Sequence, residues 1–557
     1  MRQLYTIFCT LAVISLSSCT PQFQGEMEEA LTQLENTYYI SPHGDDSNNG
    51  NSPEDAWKSI EKLNSIDLAP GSVVLFEGGE EFPGTIILDH KDANNPSKPI
   101  EITTYAQGKA MIRAGNGYGL NAYNTGGVLI DNLIFQGNGM YTNSDSGIQF
   151  YNDLDGDVKL EKVEITNCEV FGFRNFGIVI GGYNGNSGYK NVLIENNKIH
   201  DILDVGISSY GFFSASKRGY AHSNINVRNC EVYNIPGYDK PKHSGNGVVL
   251  SDVQNSIIEY TTVYNCGIGN TNCGGPVGIW YWDSDQVTIQ HCEAYNISSG
   301  TGCDGGGFDL DGGVTNGTMQ YNYSHDNDGA GFMAGQFNGA RPMKNIIIRY
   351  NISQNDAATN GGSVYLFNGG SSNTMSDIII HNNTFYIAEQ NTNTSAAAVK
   401  FNTWEPINNN VQIMNNILYT SGEADLIILP SGYAAEFKGN LYFAEDNYKI
   451  QYQGINYSSL ADFRSTGNEV ENGIDSGHQG DPFLLRPGKG DVIGFGNTLT
   501  SLEAYKLKTG SPAINAGIEL PVDKGVIDFF GNSLVQIQSE DIGAYTSFQT
   551  GKTVATR

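Results

Sequence analysis

Four aspartates lie close together in one glycine-rich part of the sequence. Asp309 and Asp311 are separated by a single residue, so in a strand they would share a face, with Cα atoms roughly 6.5–7 Å apart. Asp304 precedes that strand, and Asp328 holds a similar position before the next glycine-led segment. Crowded carboxylates repel one another, and either a shared proton or a bound divalent cation offsets the repulsion. These four residues are therefore candidates for a reactive site.

Two kinds of reaction use such a cluster. A glycoside hydrolase needs a protonated acid for the leaving oxygen and a carboxylate as base or nucleophile. We predict Asp309 and Asp311 as this pair, with Asp304 or Asp328 as a third acid and with no cofactor. A calcium-dependent polysaccharide lyase, or a C5 epimerase, would instead hold Ca²⁺ through Asp309, Asp311 and Asp328 and use a basic side chain to remove a proton. Glycan binding without catalysis is the third interpretation.

The aspartates belong to a series of repeats of about 30 residues. Each repeat has an alternating apolar strand, then Asn or another small polar residue, then a second short strand, as in Val192-Leu-Ile-Glu-Asn-Asn-Lys-Ile. Short strands at this period, without helical periodicity, predict a solenoid of β rungs. Successive repeats start 35, 29, 33, 31, 31, 30, 29, 32 and 33 residues apart. The starts are Val128, Val163, Val192, Ile225, Ser256, Val287, Gly317, Ile346, Ile378 and Val411.

A further strand in each repeat opens with Gly or a small residue and carries the aspartates. Its second residue is apolar and should point inward: Ile148, Ile178, Ile207, Val248, Ile279, Phe308, Phe332, Val364 and Val399. Side chains alternate along a strand, so the third and fifth residues should point outward. The third residues are Gln149, Val179, Ser208, Val249, Trp280, Asp309, Met333, Tyr365 and Lys400. The fifth are Tyr151, Gly181, Tyr210, Ser251, Trp282, Asp311, Gly335, Phe367 and Asn402.

Aromatic residues flank the aspartates in these outward columns. Trp280 and Trp282 lie one rung before Asp309, and Tyr365 and Phe367 lie two rungs after it, with rungs ~4.8 Å apart. Flat aromatic faces beside carboxylates suit sugar rings, and exposed apolar patches mark binding sites. The pattern predicts a groove that binds a polysaccharide or oligosaccharide.

Tyr210, Lys400 and His243 complete the predicted substrate-binding residues. Lys400 points outward but lies three rungs from Asp309, roughly 14 Å by rung spacing. No basic residue lies directly beside the acids in these columns, which favours the hydrolase. Other basic residues that loops could bring to the groove are Lys217, Arg218 and Arg341. Long loops before Gly247 and around residues 266–276 could wall one end of the groove, which would favour action at a chain end.

Segments at both ends of the body resemble secreted bacterial proteins of the pectate-lyase-like superfamily. The N-terminal segments are Tyr38-Tyr-Ile-Ser-Pro-His-Gly-Asp-Asp-Ser-Asn-Asn-Gly and Gly71-Ser-Val-Val-Leu-Phe-Glu-Gly-Gly, and the C-terminal ones are Ser511-Pro-Ala-Ile-Asn-Ala-Gly and Asp541-Ile-Gly-Ala-Tyr. The resemblance implies an all-β, single-stranded, right-handed parallel β-helix with an N-terminal cap and a closing segment. The aspartate cluster is similar in kind to that of polygalacturonase-type hydrolases. The superfamily also contains lyases, epimerases, esterases and adhesins, so the fold alone does not select a reaction.

The start of the chain has the layout of a secretory signal. Arg2 precedes a short apolar stretch, and Leu16-Ser17-Ser18-Cys19 resembles a bacterial lipobox. We predict a lipid on Cys19 as the only membrane attachment, and a monomeric lipoprotein of the cell envelope facing the periplasm or the exterior. The predicted divisions are residues 1–18 as signal peptide, 19–36 as tether, 37–120 as cap and first rungs, 121–445 as β-helix core, and 446–557 as last rungs and closing segment.

Composition narrows the class further. A net charge of −29 over 557 residues argues against binding to nucleic acid. Cys273 and Cys303 precede adjacent groove strands and could form a disulfide in an oxidising compartment. Cys168, Cys230 and Cys292 share one repeat position and are predicted to be buried, unpaired thiols. Together with Cys230, the turn residues Asn167, Asn196 and Asn229 are expected to form internal ladders at the solenoid corners.

Overall fold

The computed structural model describes residues 36–547 except 93, 301–302, 389–392, 403, 408, 495 and 536–538. The predicted signal peptide, the predicted lipidation site Cys19 and the predicted tether up to residue 35 lie outside the described residues. Three sheets of fourteen strands each wind along one axis. The chain visits the three sheets in turn, and every neighbouring pair is parallel until the last strands. The right-handed parallel β-helix expected from the sequence is confirmed.

Strands of the first sheet are Thr37–Ile40, Val73–Glu77, Ile100–Tyr105, Val128–Asp131, Lys159–Thr166, Gly188–Glu195, His222–Arg228, Val253–Glu259, Asp285–Gln290, Thr315–Gln320, Met343–Arg349, Met375–His381, Asn409–Met414 and Glu436–Lys438. Strands of the second sheet are Glu81–Pro83, Ala110–Gly115, Leu133–Gly137, Glu169–Phe171, Lys198–His200, Glu231–Ile235, Thr262–Cys266, Glu293–Ile297, Tyr323–His325, Ile352–Gln354, Thr384–Ile387, Ile417–Thr420, Leu441–Ala444 and His478–Gln479.

We call the third sheet the groove sheet. Its strands are Ile86–Leu88, Leu120–Tyr123, Ile148–Asn152, Phe176–Gly182, Val205–Tyr210, Asn246–Ser251, Val277–Trp282, Gly306–Leu310, Phe332–Gln336, Val364–Asn368, Ala397–Phe401, Asp425–Leu429, Ile450–Tyr452 and Ile455–Tyr457. A two-stranded sheet pairs Val470–Glu471 with Ile474–Asp475. The helices are Ile60–Leu63 and Leu460–Arg464, with 3₁₀ turns at Gly496–Ser501 and Glu503–Tyr505. Among the described residues, no helix has the length and apolar character needed to cross a bilayer.

The register of the strands confirms the repeat that the sequence predicts. In the first sheet Val163 pairs with Val128 and Val192, and Gly317 pairs with Ile346, as the repeat starts require. In the groove sheet the nine predicted inward residues pair in one column. Each of these nine is fully buried. Their burial inside the coil removes apolar surface from water and fixes which side chains face outward.

The internal ladder lies one residue beyond the predicted one. Asn167, Asn196 and Asn229 have φ angles of 54°, 57° and 51°, and this left-handed turn leaves their side chains at the surface. The buried ladder is formed by the following residue in each turn, and runs through Cys168, Asn197, Cys230, Thr261, Cys292, Asn322, Asn351, Asn383, Asn416 and Asn440. Cys168, Cys230, Cys266 and Cys292 are buried free thiols, as expected for three of them.

The C-terminal segment does more than cover the end of the coil. After residue 480 it folds back along the outer face of the second sheet, where its apolar residues form a separate core with Tyr323, Ile352 and Ile417. The N–H groups of Ile493 and Gly494 donate to the carboxylate of Glu293, many rungs before the end. The closing segment therefore fastens several rungs together and leaves the groove sheet open.

Candidate active site

Asp309 lies at the centre of the outer face of the groove sheet. It pairs with Trp280 on the preceding rung and with Met333 on the next. Its side chain is only 3% exposed, and its Oδ1 atom has no hydrogen-bond partner among the described residues. Burial, followed by the charges of Asp311 and Asp304, raises the pKa of Asp309 well above its usual range. Burial disfavours the charged form more than the backbone N–H of Leu310 stabilises it, so Asp309 retains a proton near neutral pH.

Asp311 follows directly after the strand Gly306–Leu310 and is half-buried. Burial raises its pKa to about 7, and the nearby Asp304 adds to the rise, while an N–H donated by Gly312 at 2.6 Å to its Oδ1 partly opposes it. Burial thus raises the pKa of both carboxyl groups, and the charge of Asp311 adds to the rise at Asp309. Such a pair can supply a proton at neutral pH.

Asp304 is held differently. Its Oδ2 accepts hydrogen bonds from the N–H groups of Gly274 and Gly275 at 2.7 and 2.6 Å. Burial raises its pKa, and these two donors counteract the rise. Because N–H donors stabilise a carboxylate, Asp304 is the member of the cluster best suited to remain ionised.

A disulfide positions Asp304. Cys273 and Cys303 are bonded, which confirms the pairing considered from the sequence. Cys303 directly precedes Asp304. Cys273 directly precedes Gly274, whose N–H donates to the carboxylate of Asp304. The disulfide and the carboxylate therefore cross-link the same two neighbouring loops, and this bracing limits how far Asp304 can move.

The three acids line one cavity of about 480 Å³. This volume lies in the range of small-molecule sites. Of the predicted residues, the cavity brings together Asp304, Asp309, Asp311, Trp280, Tyr365, Phe367 and Lys400. The predicted Asp328, Trp282, Tyr210 and His243 are not among its lining residues.

Asp328 has a structural part. Its Oδ2 accepts a hydrogen bond from the N–H of Ser299 at 2.8 Å, and its carbonyl accepts from Thr359 and Asn360. Asp328 therefore connects neighbouring turns through hydrogen bonds. It is not among the residues that line the cavity with the other three acids. Its position does not support its prediction as a third acid, or as a calcium ligand beside Asp309 and Asp311.

The tryptophans differ from the expected exposed platform. Trp280 is only 3% exposed because His243 packs edge-on against its ring at 5.2 Å and Asn246 accepts its indole N–H at 3.1 Å. Trp282 packs against Phe213 and Phe337. The loop that carries His243 thus covers the rung before Asp309. Burial of His243 lowers its pKa to about 4, so its ring is neutral at physiological pH.

Lys400 lines the cavity although it is three rungs from Asp309, as the register Asp309–Met333–Tyr365–Lys400 predicts. Its ammonium donates to the carbonyl and hydroxyl oxygens of Ser395 at 2.8 and 2.9 Å. Burial lowers its pKa. Among the described lining residues it is the single cation, whereas three carboxyl groups line the same cavity.

Several lining residues were not predicted from the sequence, and all of them except Gln336, the last residue of its groove strand, lie in loops. These are Gln336, Phe337, Asn338, Asn360, Trp404 and the glycines at 274, 275, 361 and 369. Phe337 and Trp404 follow closely after groove strands, and Trp404 is 65% exposed with its ring 6.0 Å from that of Phe367. Aromatic residues within three positions of a groove strand were the signal that could have identified them.

Two of the three remaining basic residues form ion pairs outside the cavity. Lys217 forms a buried ion pair with Asp252, and Arg341 forms one with Asp283. Arg218 is exposed. In the part of the chain that the structure describes, no group of three or more His, Cys, Asp or Glu residues is arranged to hold a metal ion.

Comparison with known proteins identifies relatives that act on sugars. No family model matches the chain. In an alignment 467 residues long that covers 65% of the chain, the sequence is 26% identical to a lacto-N-biosidase of Bifidobacterium longum subsp. longum. The matched part is 28% of that enzyme, so the chain spans less than a third of its relative.

Two solved structures share the fold. The GH136 lacto-N-biosidase from Eubacterium ramulus matches with a TM-score of 0.50 and 18% identity, over 77% of this chain and 70% of that one. XylC, solved with xylose, matches with a TM-score of 0.50 and 10% identity, over 92% and 99% of the two chains. At these identities the likeness concerns the fold.

Proposed function

We propose that this protein is a glycoside hydrolase that cleaves neutral oligosaccharides at the acidic cavity. The observation that carries the proposal is the cluster of three carboxyl groups in one aromatic-lined cavity, where Asp309 is buried and its Oδ1 atom has no hydrogen-bond partner among the described residues. The similarity to a lacto-N-biosidase supports the same class of reaction. The excess of carboxyl groups over the single lysine favours a neutral sugar, because a uronate would meet like charges.

The three acids divide the work according to their surroundings. The Asp309–Asp311 pair holds a proton, and Asp311, the more exposed member, donates it to the glycosidic oxygen as the bond from that oxygen to the anomeric carbon breaks. Asp304 is the ionised carboxylate that either attacks the anomeric carbon or removes a proton from an attacking water. Burial, together with the charge of Asp304, keeps the pKa of Asp311 high. One water is consumed for each bond that is cleaved.

The loops around the cavity favour binding of the end of a sugar chain over binding of its interior. The loop containing Gly274 and Gly275 closes one side, and the His243 loop covers the rung before Asp309. We infer that the cavity takes a terminal unit and releases it. The first unit to test is lacto-N-biose, because the similar proteins are named lacto-N-biosidases.

Product analysis tests the proposal. The p-nitrophenyl glycoside of lacto-N-biose, neutral oligosaccharides and uronic-acid polysaccharides are each incubated with the protein, with and without EDTA, and products are weighed by mass spectrometry. A hydrolase gives products heavier by one water per cleavage, and EDTA has no effect. Unsaturated, ultraviolet-absorbing products that EDTA abolishes would establish a calcium-dependent lyase instead.

The pH profile of kcat/KM is expected to show the loss of the proton from Asp311. With the pKa of Asp311 at about 7, kcat/KM should fall about tenfold per pH unit above that value, because the acid loses its proton. The acidic limb should follow protonation of Asp304, at lower pH. Initial rates between pH 4 and 9 measure both limbs. A rate that stays flat above pH 8 would contradict the assignment of Asp311 as acid.

We further propose that the enzyme is a monomeric lipoprotein of the cell envelope. Support comes from the lipobox-like Leu16-Ser17-Ser18-Cys19 and the polar residues that follow it, which would space the coil from a membrane. The side of the membrane it faces, periplasm or exterior, follows from protease accessibility on intact cells. Incorporation of labelled fatty acid, lost in Cys19→Ala, tests the anchor.

A further inference from the structure

A row of aromatic rings lies on the groove sheet well before the acidic cavity. Tyr123 and Tyr151 are nearly parallel, with ring centroids 6.1 Å apart. Tyr151 and Tyr210 are 6.5 Å apart, and Phe176 lies 6.2 Å from Tyr210. Tyr123 is 43% exposed and the other three are half-buried. We call these four residues the tyrosine row.

Gly181 makes the row continuous. It occupies the rung between Tyr151 and Tyr210, whose rings would be about 10 Å apart if they stood straight off the sheet. A Cβ atom at Gly181 would lie 2.6 Å from Cζ of Tyr210 and 3.0 Å from Cδ2 of Tyr151. The missing side chain therefore lets the two rings close over this rung into one surface.

The polar groups beside the row are side-chain amides and the carboxylate of Asp153. The Tyr123 hydroxyl donates to Asp153 at 2.9 Å, and Gln149 donates to Asn121 at 3.2 Å on the adjacent outward column. In the described part of the chain, no lysine or arginine lies over any ring of the row. Apolar ring surface beside hydrogen-bonding oxygens matches a sugar, and the lack of cations disfavours an anionic one.

The row is linked to the active site by a strip of apolar side chains. Phe176 belongs to the same outer cluster as Val205, Val249 and Trp280, which continues to the cavity residues Tyr365 and Phe367. The His243 loop covers the middle of this strip, since Val249 and Trp280 are each 3% exposed. The row and the cavity are thus two openings on one sheet, five rungs or about 24 Å apart from Tyr151 to Asp309.

We propose that the tyrosine row is a second, non-catalytic binding surface for a neutral glycan chain. It holds a chain to the protein while the cavity acts on a terminal unit. The inference rests on the proposed function, because it takes the occupant to be of the same chemical class as the substrate. It also reassigns Tyr210, which the sequence placed among the residues around the acids.

Native electrophoresis in gels that contain a polysaccharide tests the row. The probes are galactomannan, mixed-linkage β-glucan and arabinogalactan, with polygalacturonate as the acidic comparison. The parent protein carries Asp311→Asn so that binding is read without turnover. Tyr151→Ala removes one ring, and Gly181→Val forces the rings apart. Tyr141→Ala, a ring that is 68% exposed and lies outside the groove sheet, is the matched control.

We expect at least one neutral polysaccharide to retard the parent and the Tyr141→Ala control, and polygalacturonate to retard neither. Tyr151→Ala and Gly181→Val should weaken that binding about tenfold, and circular dichroism should show that both fold. The inference is overturned if no neutral polysaccharide retards the parent, if both variants bind as it does, or if polygalacturonate binds equally well. Because no step requires cleavage, a protein that binds glycans but hydrolyses none would disprove the catalytic proposal alone.

Discussion

Replacing Asp311 by Asn is expected to lower kcat/KM about 1,000-fold on an oligosaccharide with a sugar leaving group. The amide cannot supply the proton that the departing oxygen needs, and general acid catalysis contributes about 10²- to 10⁴-fold. The loss should be much smaller on a glycoside with an acidic leaving group such as dinitrophenol, which departs without protonation. Steady-state rates on both substrates measure the difference.

Asp304→Asn should behave differently. It removes the carboxylate that attacks the anomeric carbon or activates water, so both kinds of substrate should lose activity by a similar factor. Comparing the two variants therefore separates acid from base or nucleophile. If Asp311→Asn lost as much on the activated glycoside as on the oligosaccharide, its assignment as the acid would be wrong.

A control variant, Asp328→Asn, separates loss of catalysis from loss of folding. Asp328→Asn keeps an oxygen that can accept from Ser299 and lies outside the cavity lining, so it should retain activity close to that of the wild type.

The effect of Asp311 on stability is also expected to depend on pH in a definite direction. The folded pKa of Asp311 is raised, so its stabilising contribution is complete below its unfolded pKa of about 4 and is lost as pH rises through about 7. Asp311→Asn should therefore melt at or above the wild-type temperature at pH 8.

The sequence predicted most of what periodicity controls. The repeat starts and the inward column of Ile148 to Val399 agree with the strand register, because a one-residue slip would expose every apolar side chain in a strand. The ladder prediction missed by one residue because a left-handed turn at Asn196 reverses the alternation that holds within strands. Asn197 therefore points inward.

The cavity was less predictable, since loops complete it. The outward columns located Asp309, Asp311 and Lys400, which are fixed by strands. The burial of Trp280 depends on a loop thirty and more residues earlier, and no local pattern encodes that contact. The same holds for Asp304, whose two N–H donors come from the preceding rung through a disulfide-braced turn.

The buried ladder should be the most sensitive structural feature of the coil. Asn351 donates to the carbonyl of Met319 and accepts from the backbone N–H of Asn322, both at 2.9 Å, inside a fully buried corner. Asn351→Ala would leave these two groups without partners. At about 1–3 kcal/mol for each unsatisfied buried group, we expect a loss of about 3 kcal/mol in the free energy of opening.

In a solenoid this loss should be local, because each rung contacts only its neighbours. Amide hydrogen exchange in the strands Thr315–Gln320 and Met375–His381 should accelerate about 100-fold in Asn351→Ala, since 1.4 kcal/mol is a factor of ten. Asn345→Gly, at an exposed position with φ of 59° in the strand Met343–Arg349 of the same rung, is the matched control and should change exchange little. Equal exchange in the two variants would mean that shape and apolar packing, rather than the amide ladder, hold these rungs in register.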